Sequence, residues 1–559
     1  MSPAPFSAIA LPSRDMLSPK RHSCTEYKLK YGNSYLTVSE ISLSDAVDRG
    51  ITVTELAPMD QAIDVSRETT AAFVGRALRG PLNKPVLIHS FGEYRRRFGD
   101  VWTRSSLGPA VSQFFEHGGK NLYVVRVANN ARGAMICLPA NGSALVLRAI
   151  EPGSTENIRA AVDFDGIDRE DDEHFNLTLQ RVDPLTGLVT DQEMFRRASY
   201  LEQAGKFIAD MLTTSTLARV ELPFPTHRPE ATVGVDTPHN ASYVDHAQGG
   251  SDGHELSDYD LVGSRKEDTG LFALDNIGHF DLLYLPPPGK FRDLGPAPLL
   301  AAEMYCRERG AMLIVDPASE WVTPARAVAG MRGIGMASPN MIGYFPRMYH
   351  RGDDGGAPRT VGGALAGLFC KLDRTFGPWR KLDQQGMGFK RELVAAYDID
   401  ENDMQLLSRE GLNVIAKAPA GRARVLGSVT MGRGSGVHSK FSSLPVRRLC
   451  LQIVNAIDEA TRWAVFEPDD SQLAGRIRSQ VTAYLSAVAN MGAFENDRFV
   501  VDCDAGLCQR KDALERGVTI LVTLQPQGCT EPISFTLHQT VAGCRVMSTA
   551  FAPVMEDCA

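Results

Sequence analysis

Several stretches of this sequence carry residue types whose spacing invites chemistry. Gly432–Lys440, GRGSGVHSK, has the glycines and the lysine of a phosphate loop. Such a loop needs Gly-Lys adjacent and Ser or Thr next, so that backbone N–H groups cradle the phosphates and the hydroxyl reaches magnesium. Here Ser439 precedes Lys440 and Phe441 follows, so the segment reads as a linker. Gly330–Gly335, GMRGIG, has no buried strand running directly into it, which a dinucleotide turn requires. Asp163–His174, DFDGIDREDDEH, gathers carboxylates, but Gly166 comes too early for an EF-hand and the distal Glu is misplaced. It reads as a solvated acidic turn, with adventitious cation binding as the other reading. Arg351-Gly352-Asp353 is too short to carry meaning.

The twelve histidines include no HExxH, and there is no GxSxG elbow. A Ser-His-Asp triad has no fixed spacing in sequence, so a soluble α/β hydrolase stays as a distant alternative. No catalytic residue, cofactor or metal ligand is assigned. The ten cysteines form no CxxC pair, which argues against structural zinc. Cys306, Cys370 and Cys450 lie in apolar runs and read as buried thiols. Cys24, Cys529, Cys544 and Cys558 lie toward the two ends. They read either as free thiols or as links between copies under oxidising conditions.

The 559 residues are 43% hydrophobic and 23% charged, ordinary for a soluble protein with large cores. The net charge of −8 argues against a free nucleic-acid binder. No run reaches about 18 apolar residues, so no membrane insertion is expected. The Pro- and Ser-rich start lacks a basic-then-apolar layout and reads as a flexible arm on a cytoplasmic product.

The elements that must position any site follow from periodicity. Residues 1–69 read as an arm with strand alternation in YLTVSEISL and GITVTELAP, where Ile51, Val53 and Glu55 face alternate sides. Residues 70–128 read as a βαβ-type first part of a core domain, with a helix from Ser106 to the stop at Gly118-Gly119. Residues 129–258 read as an inserted, mostly β module, with one helical segment within DQEMFRRASYLEQAGKFIADMLTTS. Residues 259–440 resume strand–helix–strand units. Residues 441–540 give two amphipathic helices, a strand at AVFEP, and three closing strands that include Ile533, Phe535 and Leu537; a tail covers 541–559. The fold class is therefore α/β (α+β), a core domain split by a mostly β inserted domain, with extended N- and C-terminal arms. Strand-like ends with little core of their own need another surface to pair with. In TAAFVGRALRGPLNKPVLIHSFGEYRRRFGD, Thr70–Asp100, three arginines stand between core-like aromatics. Arg95, Arg96 and Arg97 read either as a solvated face or as a contact for an acidic neighbour.

That stretch, with LGPAVSQFFEHGGKNLYVVRV after it, resembles the N-terminal signature of contractile phage tail sheath proteins. The matching residues are Phe73, Val74, Gly75, Gly80, Pro81, Phe98, Gly99, Phe114, Phe115, Gly118, Gly119 and Val125-Arg126-Val127. A second match, RRLCLQIVNAIDEATRWAVFEPDD, is carried by Arg447, Arg448, Trp463, Phe466, Glu467 and Pro468, with Asp469 where the family has Asn. The resemblance implies a structural subunit, not an enzyme. It implies sixfold rings stacked around a tail tube, with baseplate and tail terminator proteins as further partners and no direct contact with nucleic acid. It implies a place in the virion tail after assembly in the host cytoplasm, and contraction that drives the tube through the host envelope. The arms, with Ile51, Val53, Glu55, Ile533, Phe535 and Leu537, are then strands shared between subunits. The sheath of a phage-derived injection particle or R-type bacteriocin is the alternative within the same mechanics.

Overall fold

The computed structural model describes residues 26–31, 34–39, 62–65, 67–183, 186–232, 242–289, 292–335, 337–351, 356–383, 387–417, 422–435, 439–466, 471–503, 517–540 and 543–547. An eight-stranded sheet organises the molecule. Its order is Ala423–Leu426, Leu412–Lys417, Met341–Phe345, Met312–Val315, Leu282–Tyr284, Thr70–Gly75, Asn121–Arg126 and Val86–Ile88. The six inner strands are parallel and the two outer ones antiparallel. A parallel sheet covered on both faces needs strands that are apolar throughout. TAAFVG meets this: every residue after Thr70 is buried, Ala71 and Phe73 on one face, Ala72 and Val74 on the other. Helices Phe91–Phe98, Leu107–Glu116 and Gly362–Phe376 cover the first face. Helices Pro296–Arg309, Pro324–Ile334 and Glu401–Arg409 cover the second.

Two further sheets lie between residues 135 and 245. One orders Ala218–Glu221, Ser143–Ala149 and Met135–Ala140; the other orders Val189–Ser199, His174–Val182, Ile158–Asp163 and Val244–Asp245. They share one core around Ile136, Leu147, Leu177 and Phe207. The C-terminal part packs helices Leu444–Thr461 and Ser471–Asn490 on an antiparallel sheet of Phe494–Cys503, Gly517–Pro526, Ile533–Thr540 and Gly543–Met547. Near the start, Glu26–Tyr31 and Ser34–Ser39 form an antiparallel hairpin, with no third strand beside it among the described residues.

Two expectations change, and a third falls outside the described residues. The helical segment read in DQEMFRRASYLEQAGKFIADMLTTS shrinks to Ile208–Met211, and Val189–Ser199 is a strand. Its pairing with His174–Val182 overrides the helix-like spacing, and register shifts there absorb the mismatch, with Arg197 at φ +53°. Arg462–Phe466 forms a 3-10 helix rather than the strand read at AVFEP; Glu467 and Pro468 lie outside the described residues. Ile51, Val53 and Glu55 also lie outside them.

Candidate assembly site

The residues of the N-terminal motif build the core beside one end of the central sheet. Phe73 meets the rings of Phe114 and Tyr284 edge-on at 5.5 and 5.2 Å. Phe115 packs against the same core from a half-buried position. The helix Phe91–Phe98 starts at Ser90, whose hydroxyl accepts from Glu93 N–H, and buries only Tyr94 and Phe98. Gly80 (φ +101°) lies where a Cβ would fall 2.8 Å from the Arg97 carbonyl oxygen. A Cβ on Gly119 would lie 2.3 Å from the Phe114 ring. Both glycines are therefore set by close approach. Pro81 follows in the turn that Gly80 opens, while Gly75 at the end of its strand lies against Leu107 and Gly99 against Leu78.

Arg126 ends its strand fully buried. Its guanidinium donates to the carbonyls of Ala77 (3.1 Å), Leu78 (3.2 Å), Gly80 (2.6 Å) and Pro152 (2.6 Å). Burial pulls its pKa down to about 10, against the pull of Glu151, Asp252 and Glu156. The side chain so pins the first loop of the core to the connection between Ser143–Ala149 and Ile158–Asp163.

A polar seam joins the C-terminal helices to the central sheet. Arg447 donates to Asn340 Oδ1 (2.6 Å), and Asn455 donates to the Gly310 carbonyl (2.9 Å). Arg448 pairs with Asp373, which also accepts from Thr69 Oγ1 (2.6 Å). Burial raises the Asp373 pKa, and the Arg448 charge opposes it. A cleft of about 300 Å³ opens along this seam between His279, Arg307, Arg309, Arg447, Asp458 and Arg462. On the other side of the sheet's strand ends, Asp316 is half-buried and accepts from the Tyr284 hydroxyl and from Gly362 N–H (3.1 Å). Burial pushes its pKa up to about 6, against Tyr284, Arg347 and the helix N–H groups.

The C-terminal sheet has two open edges among the described residues. Phe494–Cys503 and Gly543–Met547 each have one strand partner among the described residues. Val500 and Leu521 stand exposed on the outward face. Ile533, Phe535 and Leu537 were expected at subunit contacts; they are instead buried in the chain's own core, because their strand lies between two others and they point toward the helices. Trp463 packs at the margin of that core, and Phe466 ends the adjoining 3-10 helix. Cys529 is a half-buried free thiol whose pKa burial raises. Cys544 sits in the last strand; Cys24 and Cys558 lie outside the described residues. Arg126, Arg447 and Arg448 stand in the sequence motifs, which do not give their roles. Asp373 and Asp316 lie outside those motifs, and no local pattern announces the desolvation they meet in the fold. Among the described residues no group of His, Cys, Asp and Glu could hold a metal ion, and no helix is long and apolar enough to cross a membrane.

No family model matches the chain. In sequence it is 23% identical over 236 residues to a tail sheath protein of Vibrio phage KVP40, a match that takes in 41% of this chain. The match spans about a third of that relative, 33% of its length. In structure it is similar to a sheath tail protein of Listeria innocua, with TM-score 0.57 at 14% identity, covering 86% of this chain and 97% of that one. A sheath tail protein of Desulfitobacterium hafniense gives 0.51 at 13% identity, covering 88% and 100%. The chain has the mixed α/β fold of these sheath tail proteins, and its resemblance to tail sheath proteins holds in sequence and in fold.

Proposed function

We propose that this chain is the structural subunit of a contractile tail sheath. It polymerises as sixfold rings around a tail tube, and the stack shortens to drive the tube through the envelope of a host cell. The observation that carries this reading is the likeness to a sheath tail protein along almost all of that protein's length. Residues 129–258 act as a module inserted into the core domain, and residues 1–69 and 541–559 act as arms that reach neighbouring copies. The open strand edges at Phe494–Cys503 and Gly543–Met547 support such pairing, because an unpaired row of N–H and C=O groups is a template for another strand. Partners on this reading are further copies of the chain, the tube protein, the baseplate and the tail terminator. The particle is assembled in the host cytoplasm and remains in the virion tail.

Electron microscopy of the purified chain, alone and with its tube protein, tests the proposal. Hollow cylinders with sixfold end views are expected. Compact single particles under all conditions would refute it. A chain trimmed of residues 1–61 and 548–559 should keep its fold but form no linked cylinders.

A further inference from the structure

Two oppositely charged surfaces have no counterpart among the described residues. On the Phe91–Phe98 helix, Arg95, Arg96 and Arg97 are exposed. Arg95 pairs with Asp100 at 2.7 Å, whereas Arg96 and Arg97 make no ion pair among the described residues. Between Asp163 and Glu173 the turn joining two module strands holds seven carboxylates and one arginine. Asp171 and Asp172 have His174, Arg197 and Arg228 as neighbours. Asp165, Asp168 and Glu170 are exposed and make no ion pair among the described residues.

The fold keeps the two apart. Arg79 N–H donates to the Phe98 carbonyl at the end of the basic helix, and its guanidinium lies 3.7 Å from Asp183 at the base of the strand hairpin. From that base the hairpin runs from Ile158↔Arg181 to Asp163↔Asn176 before it turns. At about 3.3 Å per residue this carries the acidic turn roughly 17 Å outward from its base. That exceeds the screening length of about 8 Å at physiological salt. Complementary patches at separate places on one chain form a heterologous contact, and such contacts generate rings or helical stacks.

We infer that the basic face of the Phe91–Phe98 helix docks on the acidic Asp163–Glu173 turn of a second copy of this chain, an inference that rests on the sheath reading above. Exposed ion pairs contribute little to affinity, but they set encounter rate and orientation. The contact therefore orders incoming subunits rather than holding them.

The test uses two full-length variants. One is Arg96→Glu with Arg97→Glu. The other is Asp165→Lys, Asp168→Lys and Glu170→Lys. Melting temperatures check that both fold, as exposed positions allow. Cylinder formation is followed by light scattering and microscopy at about 0.1 M salt. Each variant alone should assemble about tenfold more slowly than the natural chain or worse. Mixed one to one, they should recover to near the natural rate, because each supplies the charge that the other lacks. Wild-type kinetics for each variant alone would overturn the inference, and so would a mixture no faster than its components. Sensitivity confined to the arginine variant, and only with tube protein present, would assign the basic face to the tube and overturn it too. A natural chain that makes no cylinders at all would fail the sheath reading itself.

Discussion

Asp316→Asn probes a charge that the fold holds under strain. Asp316 follows the strand Met312–Val315 and reaches the start of the buried helix Gly362–Phe376. The groups facing it are the Tyr284 hydroxyl from the neighbouring strand, the N–H groups of Val361 and Gly362, and Arg347, which is shared with Asp293. These favour the carboxylate, yet burial outweighs them and lifts the pKa from the ordinary 3.8 to about 6. The folded state thus binds the Asp316 proton more tightly than the unfolded state does. Between those two values native Asp316 holds more protons, so its contribution to stability falls as pH rises and is greatest below the unfolded value. A shift of about two units corresponds to about 3 kcal/mol. Asn cannot titrate, and the remaining groups are common to both proteins. Urea unfolding of the two proteins is compared at several pH values between about 4 and about 7.5, where the linkage acts. The difference between them is the quantity to read, because a chain with several cores need not unfold as one unit. Natural protein should gain about 2 kcal/mol relative to Asp316→Asn on going from about pH 7.5 to about pH 4, most of the full shift. A difference that stays flat across that range refutes the reasoning, and one that rises with pH reverses its sign.

Other perturbations separate core from surface. Gly119→Ala forces a methyl group against the Phe114 ring and should destabilise by about 1–3 kcal/mol, read as a lower melting temperature. Arg126→Met leaves four carbonyls without their donor and should cost about 3–5 kcal/mol, with faster proteolysis in the Ala77–Gly80 loop as a local readout. Phe535→Ala should cost about 3–5 kcal/mol, whereas Val500→Ala on the outward face should stay within about 0.5 kcal/mol, both from urea midpoints. Thiol titration should find Cys306, Cys370 and Cys450 unreactive until the chain unfolds, since burial raises all three, Cys450 to about 12.

Segments with one dominant period were readable from the sequence. Leu107–Glu116 announces itself by helical spacing and a glycine stop, and AMLIVDP by an unbroken apolar run. Val189–Ser199 was not readable, because its polar residues become a strand only through the partner that pairs with them. The same limit misplaced Ile533, Phe535 and Leu537. Alternation shows that a strand has an apolar face, but not whether that face meets its own helices or another subunit. Asp316 and Asp373 were invisible for a different reason. Their partners Tyr284 and Arg448 are 32 and 75 residues away, and only the folded chain brings them together.

The placement of buried charge bears on how such a subunit would move. Arg126, Asp316 and the Arg448–Asp373 pair are each held by fixed partners inside the fold. Sliding one element past another would leave a buried charge without its partner, which costs several kcal/mol for each group. The interior therefore resists partial rearrangement and transmits force as a unit. Arg96, Arg97 and the acidic turn sit where water already solvates them, so exchanging their partners costs little. Edge strands behave alike, since main-chain pairing tolerates rotation about its axis. On the sheath reading, a large change in lattice geometry then falls on the contacts between copies, while the eight-stranded core keeps one packing throughout.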